Sequence, residues 1–158
     1  MKNMRLYMLE PEVAGEIGEN TVYDNRYLSS DKQISKVHFE FFGWLGDDII
    51  ESTPCFLVSE KLKQKIEESD LTGYKFQNAE ISFSDEFNEI YPNRKIPVFY
   101  RLIPEGKVTI KENHFTEWTG EDFLVSEKSY LVVTEKAYDV IKKFNINNCD
   151  IYVIDKQK

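Results

Sequence analysis

Hydrophobic and polar positions along this chain switch between a period of two and a period near 3.6, and the switches predict its elements. Met4 to Leu9 reads as a first strand, with Leu6 and Met8 on one face and Pro11 ending it. Ala14 to Ser35 is rich in Gly, Glu, Asn, Asp and Ser and predicts an irregular stretch, with a short strand near Thr21 to Tyr23. Lys36 to Trp44 alternates: Val37, Phe39 and Phe41 face one way, His38, Glu40 and Phe42 the other. Leu45-Gly46-Asp47-Asp48 breaks that strand, and Asp47 is placed to cap a short helical turn over Asp48 to Ser52. Pro54 opens a new extended segment, Cys55 to Val58.

The period then lengthens. Ser59 is an N-cap for a helix with Leu62 and Ile66 on its apolar stripe, and Thr72-Gly73 stops it. Tyr74 to Phe83 returns as a strand, mixed enough in pattern to be half-buried or at an edge. Ser84 caps a short helix to Tyr91, closed by Pro92-Asn93. Ile96 to Ile103 is a strong strand, Pro104-Glu105-Gly106 a turn, and Val108 to Trp118 holds a further short strand. Thr134 then caps a better helix, with Ala137, Val140, Ile141 and Phe144 at helical spacing, and Cys149 to Ile154 is a closing strand.

One word is written twice: Phe56-Leu57-Val58-Ser59-Glu60-Lys61 recurs at Phe123 to Lys128, and Leu131-Val132-Val133-Thr134-Glu135-Lys136 follows at once. Val58 to Phe76 lies on Val133 to Ile151 without a gap, pairing Glu60 with Glu135, Lys61 with Lys136 and Ile66 with Ile141. The outer copies are strand-to-helix junctions. The copy at Phe123 has no helix behind it, because Ser129-Tyr130 leads straight into another strand. The pattern predicts an α+β fold: a mixed sheet with two strand–helix–strand units, about 56–82 and 131–154, and helices packed on one face. A single domain over 1–158 is expected, with an irregular N-terminal portion at 1–35 and a repeat-containing core at 36–158.

Composition narrows the function classes. The formal net charge of −8 argues against a nucleic-acid binder, which needs a Lys/Arg-rich face, and against an anionic membrane surface. It suits solubility, or a basic partner. Cys55 and Cys149 form no Cys-x-x-Cys pattern and read as reduced, buried thiols. No apolar leader follows Met1-Lys2-Asn3 and no run approaches spanning length, so a cytoplasmic location is expected.

Candidate chemistry is sparse. Phosphate-cradling Gly loops, His-Glu-x-x-His and the Gly-x-Ser-x-Gly elbow are all missing, and no cofactor is expected. His38 and Glu40 share a strand face, and with Asp47 and Asp48 they are the one set from which a small hydrolase or metal-dependent enzyme could be built. The bland alternatives are a strand histidine and a capping turn. A Cys–His pair would need an electropositive setting that neither cysteine has in its neighbours. Trp44 and Trp118, each in a turn or at a strand end, are either core lids or interface anchors.

The run from His38 through Phe39-Glu40-Phe41-Phe42-Gly43-Trp44-Leu45-Gly46-Asp47-Asp48 into Pro54–Lys61, with Leu131–Lys136 and its helix, resembles a bacterial immunity protein family associated with polymorphic toxin systems. That family was formerly one of uncharacterised function. The likeness spans 36–82 and 120–155. It implies a small cytoplasmic α+β protein without catalysis, which blocks a toxin by binding it. It supplies no binding residues. Turn position and chemistry alone nominate Trp44, Asp47, Asp48 and Trp118 as a contact patch for a protein partner, such as a toxin domain with a basic surface. A scaffold or oligomer subunit pairing through a sheet edge is the remaining alternative.

Overall fold

The computed structural model describes residues 4–24 and 33–157, with the side chains of Asp24 and Gln33 outside the description. Residues 25–32, the middle of the stretch expected to be irregular, lie outside the described residues. The elements run β1 (Arg5–Glu10), β2 (Gly15–Ile17), β3 (Val22–Asp24), β4 (Gln33–Phe41), β5 (Ile49–Ser52), β6 (Cys55–Ser59) and α1 (Glu60–Glu68). They continue with β7 (Tyr74–Phe83), α2 (Asp85–Ile90), β8 (Phe99–Pro104), β9 (Gly106–Lys111), β10 (His114–Thr116), β11 (Phe123–Ser126), β12 (Leu131–Thr134), α3 (Glu135–Ile141) and β13 (Asp150–Lys156).

The expected α+β fold with helices on one face of a mixed sheet is overturned. Strand takes 48% of the described residues and helix 15%, so the protein is mainly β, built of two barrel-like sheets with short helices, of which α1 and α3 lie between them. One sheet is a closed barrel in the order β1-β12-β11-β9-β10-β13. The other runs β2-β4-β7-β8-β6-β5, with β3 also on β4. Its edges approach through a single parallel bridge, Glu12 to Ile50, and the Glu51 N–H donates to the Glu12 carbonyl at 3.0 Å. Two misread stretches account for much of the error. Asp48 to Ser52, expected to be a helical turn, supplies β5, and Val108 to Trp118 holds two strands, β9 and β10.

The two sheets are the same construction. β8 pairs antiparallel with β6 and β7, and β1 pairs antiparallel with β12 and β13. β4 runs parallel to β7 as β10 does to β13, and β2–β4 matches β9–β10 as an antiparallel pair. The Glu12–Ile50 bridge is the counterpart of the parallel β9–β11 pairing. Registers agree as well: Phe56 and Phe76 flank Leu102, as Leu131 and Ile151 flank Leu9, while Val58 faces Tyr100 and Val133 faces Tyr7. The chain is therefore a tandem repeat, β1 to β7 and then β8 to β13, in which each repeat gives its first strand to the barrel of the other. α2 and β3 are additions to the first repeat.

This architecture explains the recurring apolar words. β6 and β12 lie between two cores, so both of their faces are buried. Leu57 points into one barrel, with Ile50, Phe39, Phe41 and Phe99. Val132 points into the other, with Leu6, Val108, Leu124 and Phe115. Phe56, Val58, Leu131 and Val133 face a shared central layer, where Leu62 and Ile66 of α1 meet Ala137 and Ile141 of α3. Ser59 and Thr134 cap the two helices, accepting from the Leu62 and Ala137 N–H groups. The copy at Phe123 is β11, which sits in the hairpin position of β5 rather than that of β6.

Candidate functional site

The loops entering β5 and β11 carry a motif that sequence reading missed: Trp44-Leu45-Gly46-Asp47-Asp48 and Trp118-Thr119-Gly120-Glu121-Asp122. Gly46 and Gly120 hold φ of 108° and 103°, a region closed to most side chains. In each loop the indole N–H turns back on the chain, Trp44 to the Asp47 carbonyl and Trp118 to the Glu121 carbonyl, both at 2.9 Å. The final aspartate then grips the loop behind the helix of the other repeat. The Asp48 carboxylate accepts from the Asn145 N–H at 2.8 Å, and that of Asp122 from the Thr72 N–H at 2.9 Å. The arrangement is a reciprocal latch that locks the repeats together.

Asp47 and Asp48 are buried, and most of their capacity is spent inside the molecule. Asp47 accepts from the backbone N–H and the side-chain amide of Asn148, at 2.8 and 3.0 Å. It caps no helix. Its acidity also reaches its neighbours. The Glu12 carboxyl is pushed up by burial first, partly offset by the Leu45 N–H that it accepts at 2.8 Å, and raised again by Asp47. The Cys149 thiol is pushed up to about 12 by burial and then by Asp47. Burial likewise raises the Cys55 thiol. Neither cysteine is a poised nucleophile.

The hydrolase constellation does not assemble. His38 is buried on β4, where its Nδ1 accepts the Asn20 N–H at 3.2 Å and its Nε2 lies 2.7 Å from Ser82 Oγ. The first bond leaves Nδ1 without a proton in the neutral ring, so Nε2–H donates and cannot act as base toward the Ser82 hydroxyl. Gly18 permits this packing, since a Cβ there would lie 2.3 Å from Nδ1. Glu80, not Glu40, is the carboxylate beside the ring, at 3.6 Å, and it is held below its usual range by the Asn20 amide and then by Lys36. Asp47 and Asp48 make their bonds to Asn145 and Asn148 instead. Among the described residues no group of three or more His, Cys, Asp or Glu is placed to hold a metal ion.

Trp44 and Trp118 are both half-buried, but their surroundings differ. Trp118 packs on the core of the closed barrel. Trp44 packs on Phe41 and Phe99, with the Arg94 guanidinium over its ring at 4.6 Å, and it walls a cleft of about 400 Å³. Pro97 and Val98 line the cleft with it, and Asp48, Glu60 and Lys61 supply charge. Val98 in the cleft lining is 53% exposed, and two apolar residues adjacent in the chain to lining residues, Leu45 beside Trp44 and Ile96 beside Pro97, are 70% and 55% exposed. Of the four nominated contact residues, Trp44 lies at this face, Asp48 at the cleft floor, Asp47 in the interior and Trp118 on the other repeat.

No family model and no curated protein matches this chain. No helix among the described residues is long and apolar enough to cross a membrane.

Proposed function

We propose that this chain is a non-enzymatic binding protein of the immunity class, which neutralises a cognate bacterial toxin in the cytoplasm by direct contact. The observation that carries the reading is the exposed apolar face around Trp44. Large apolar residues gathered at one place on a soluble surface mark interaction sites, and an indole among them suits an anchor. The second repeat serves as an internal control. It carries Thr119 where the first has Leu45, and the strand exchanged into its barrel carries Arg5 where the strand exchanged into the first repeat's sheet is led by Val98, so the scaffold itself does not require apolar residues there. The net charge of −8 favours encounter with a basic partner.

The test is co-expression with the toxin-domain gene lying beside its own. Cells should survive with the wild-type chain, and Leu45→Glu should abolish that protection without lowering the folded yield. Death at the same rate with and without the wild-type chain overturns the proposal.

A further inference from the structure

We infer that the Trp44 cleft is a pocket for one arginine side chain of the partner protein, an inference that rests on the binding reading above. The two repeats hold their latch aspartates differently. Asp122 is saturated: Oδ2 accepts from the Thr72 N–H and hydroxyl, and Oδ1 from the Thr134 hydroxyl at 2.7 Å. Asp48 is not. Its Oδ2 accepts from the Asn145 N–H, but the Ser59 hydroxyl, standing where the other repeat has that of Thr134, caps Leu62 and makes no bond to the Asp48 carboxylate; Ser59 meets Asp48 only through its N–H, which donates to the Asp48 carbonyl. Among the described residues Oδ1 meets only the exposed Lys61 ammonium, 3.5 Å away. The first repeat thus presents a buried carboxylate, open on one side, at the floor of a cleft.

The chemistry of the cleft selects the occupant. Asp48 and Glu60 outnumber Lys61, so an anion is disfavoured and a cation favoured. A guanidinium is planar, always charged and weakly hydrated, and matches a carboxylate with paired N–H donors. Its aliphatic stem would lie on Pro97 and Val98, beside the Trp44 ring. Trp44 already carries one guanidinium, that of Arg94, which does not line the cleft. On binding, the incoming arginine displaces Lys61 from Asp48 and releases it to solvent. No bond is made or broken.

The experiment titrates the full-length chain with acetyl-Gly-Arg-Gly-amide and, as the neutral isostere, its citrulline counterpart, followed by amide and indole NMR. The Trp44 indole and the Lys61 and Val98 amides should shift saturably with the arginine peptide, and bind the citrulline peptide about tenfold more weakly. Asp48→Asn should lose the preference. Val98→Arg, which copies Arg5, the equivalent residue at the start of β1, at an exposed site, should lose binding with the fold intact, so the test survives even if Asp48→Asn unfolds. Resonances that do not move, or an equal response to citrulline, overturn the pocket. Toxin protection separates the two ideas. If Val98→Arg protects cells as well as wild type, the pocket falls and the binding function stands. If wild type takes the arginine peptide but protects nothing, the function falls and the pocket stands.

Discussion

Asp47→Ala removes one side of the contact that joins the first repeat to the loop behind α3. The wild-type carboxylate is fully buried and takes two hydrogen bonds from Asn148, at 2.8 and 3.0 Å. Bonds to a charged acceptor contribute about 1.5–3 kcal/mol each. Two effects reduce the sum. Asn148 is exposed and regains water, and Glu12 is relieved of a neighbouring negative charge. A net loss of about 2–3 kcal/mol follows. In urea, with a slope of about 2 kcal/mol per molar, the midpoint should fall by about 1–1.5 M. Asn148→Ala tests the cause: a double-mutant cycle should return a coupling of about 1–3 kcal/mol, because the two residues share the bonds. A midpoint within about 0.3 M of wild type, or strictly additive mutations, would refute the latch.

Glu51 gives a pH test. Its carboxyl is pushed up to about 7, by burial first and by Glu10 second. A carboxyl raised in the folded state favours folding most below its ordinary value of 4.5, and that contribution is lost as pH rises through 7. The thermal stability of Glu51→Gln relative to wild type should therefore grow between pH 4.5 and 7 and level off above; a flat or falling difference counts against the burial. Gly120→Ala isolates backbone strain: the added methyl meets nothing within 4 Å, yet φ is 103°, so a loss of about 1–3 kcal/mol should appear in urea unfolding. An unchanged midpoint would argue against that turn. Ile141→Ala, at the meeting of the two helices, should cost about 2–5 kcal/mol by the same assay, and a near-wild-type midpoint would remove α3 from the central layer. Both thiols should resist an aromatic disulfide reagent at pH 8 and react promptly in denaturant, since burial raises each of them; fast labelling of native Cys149 would contradict its setting.

The parts of the fold that were legible in the sequence are those governed by a few adjacent residues. Ser59, Ser84 and Thr134 were readable as caps because an N-cap is a contact across three residues. The alignment of Val58–Phe76 with Val133–Ile151 was a true structural repeat, down to Lys63 lying over Tyr100 where Tyr138 stacks on Tyr7. Its wider extent went unseen. Tyr7-x-Leu9-x-Pro11-Glu12 and Tyr100-x-Leu102-x-Pro104-Glu105 mark the start of each repeat, and Trp-x-Gly-acid-Asp marks its loop. These echoes are separated by insertions that a gapless alignment does not cross. The identical letters at Phe56 and Phe123 do not mark equivalent positions, as the missing helix behind Phe123 indicated; an apolar strand buried on both faces reads alike in two different places.

The candidate site divides in the same way. Trp44 was visible as an aromatic in a turn, while Ile96 and Val98 carried no signal of their own, because exposure of an apolar residue depends on what fails to cover it. Asp47 and Asp48 looked like surface carboxylates in a Gly turn, and the partners that bury them lie on the far side of α3.

By itself the sequence determined where the three helices start, at Ser59, Ser84 and Thr134, and that one unit occurs twice. Only the tertiary structure decided that the repeats exchange first strands, that one sheet closes into a barrel and the other curls into a barrel-like sheet, and that one latch aspartate is saturated while the other opens on a cleft. The physical reason is range. Caps and periodicity act within a turn or two of chain, but an alternating strand satisfies its backbone against any partner of compatible register. Which partner it takes is settled by forming both sheets and burying their shared layer at once.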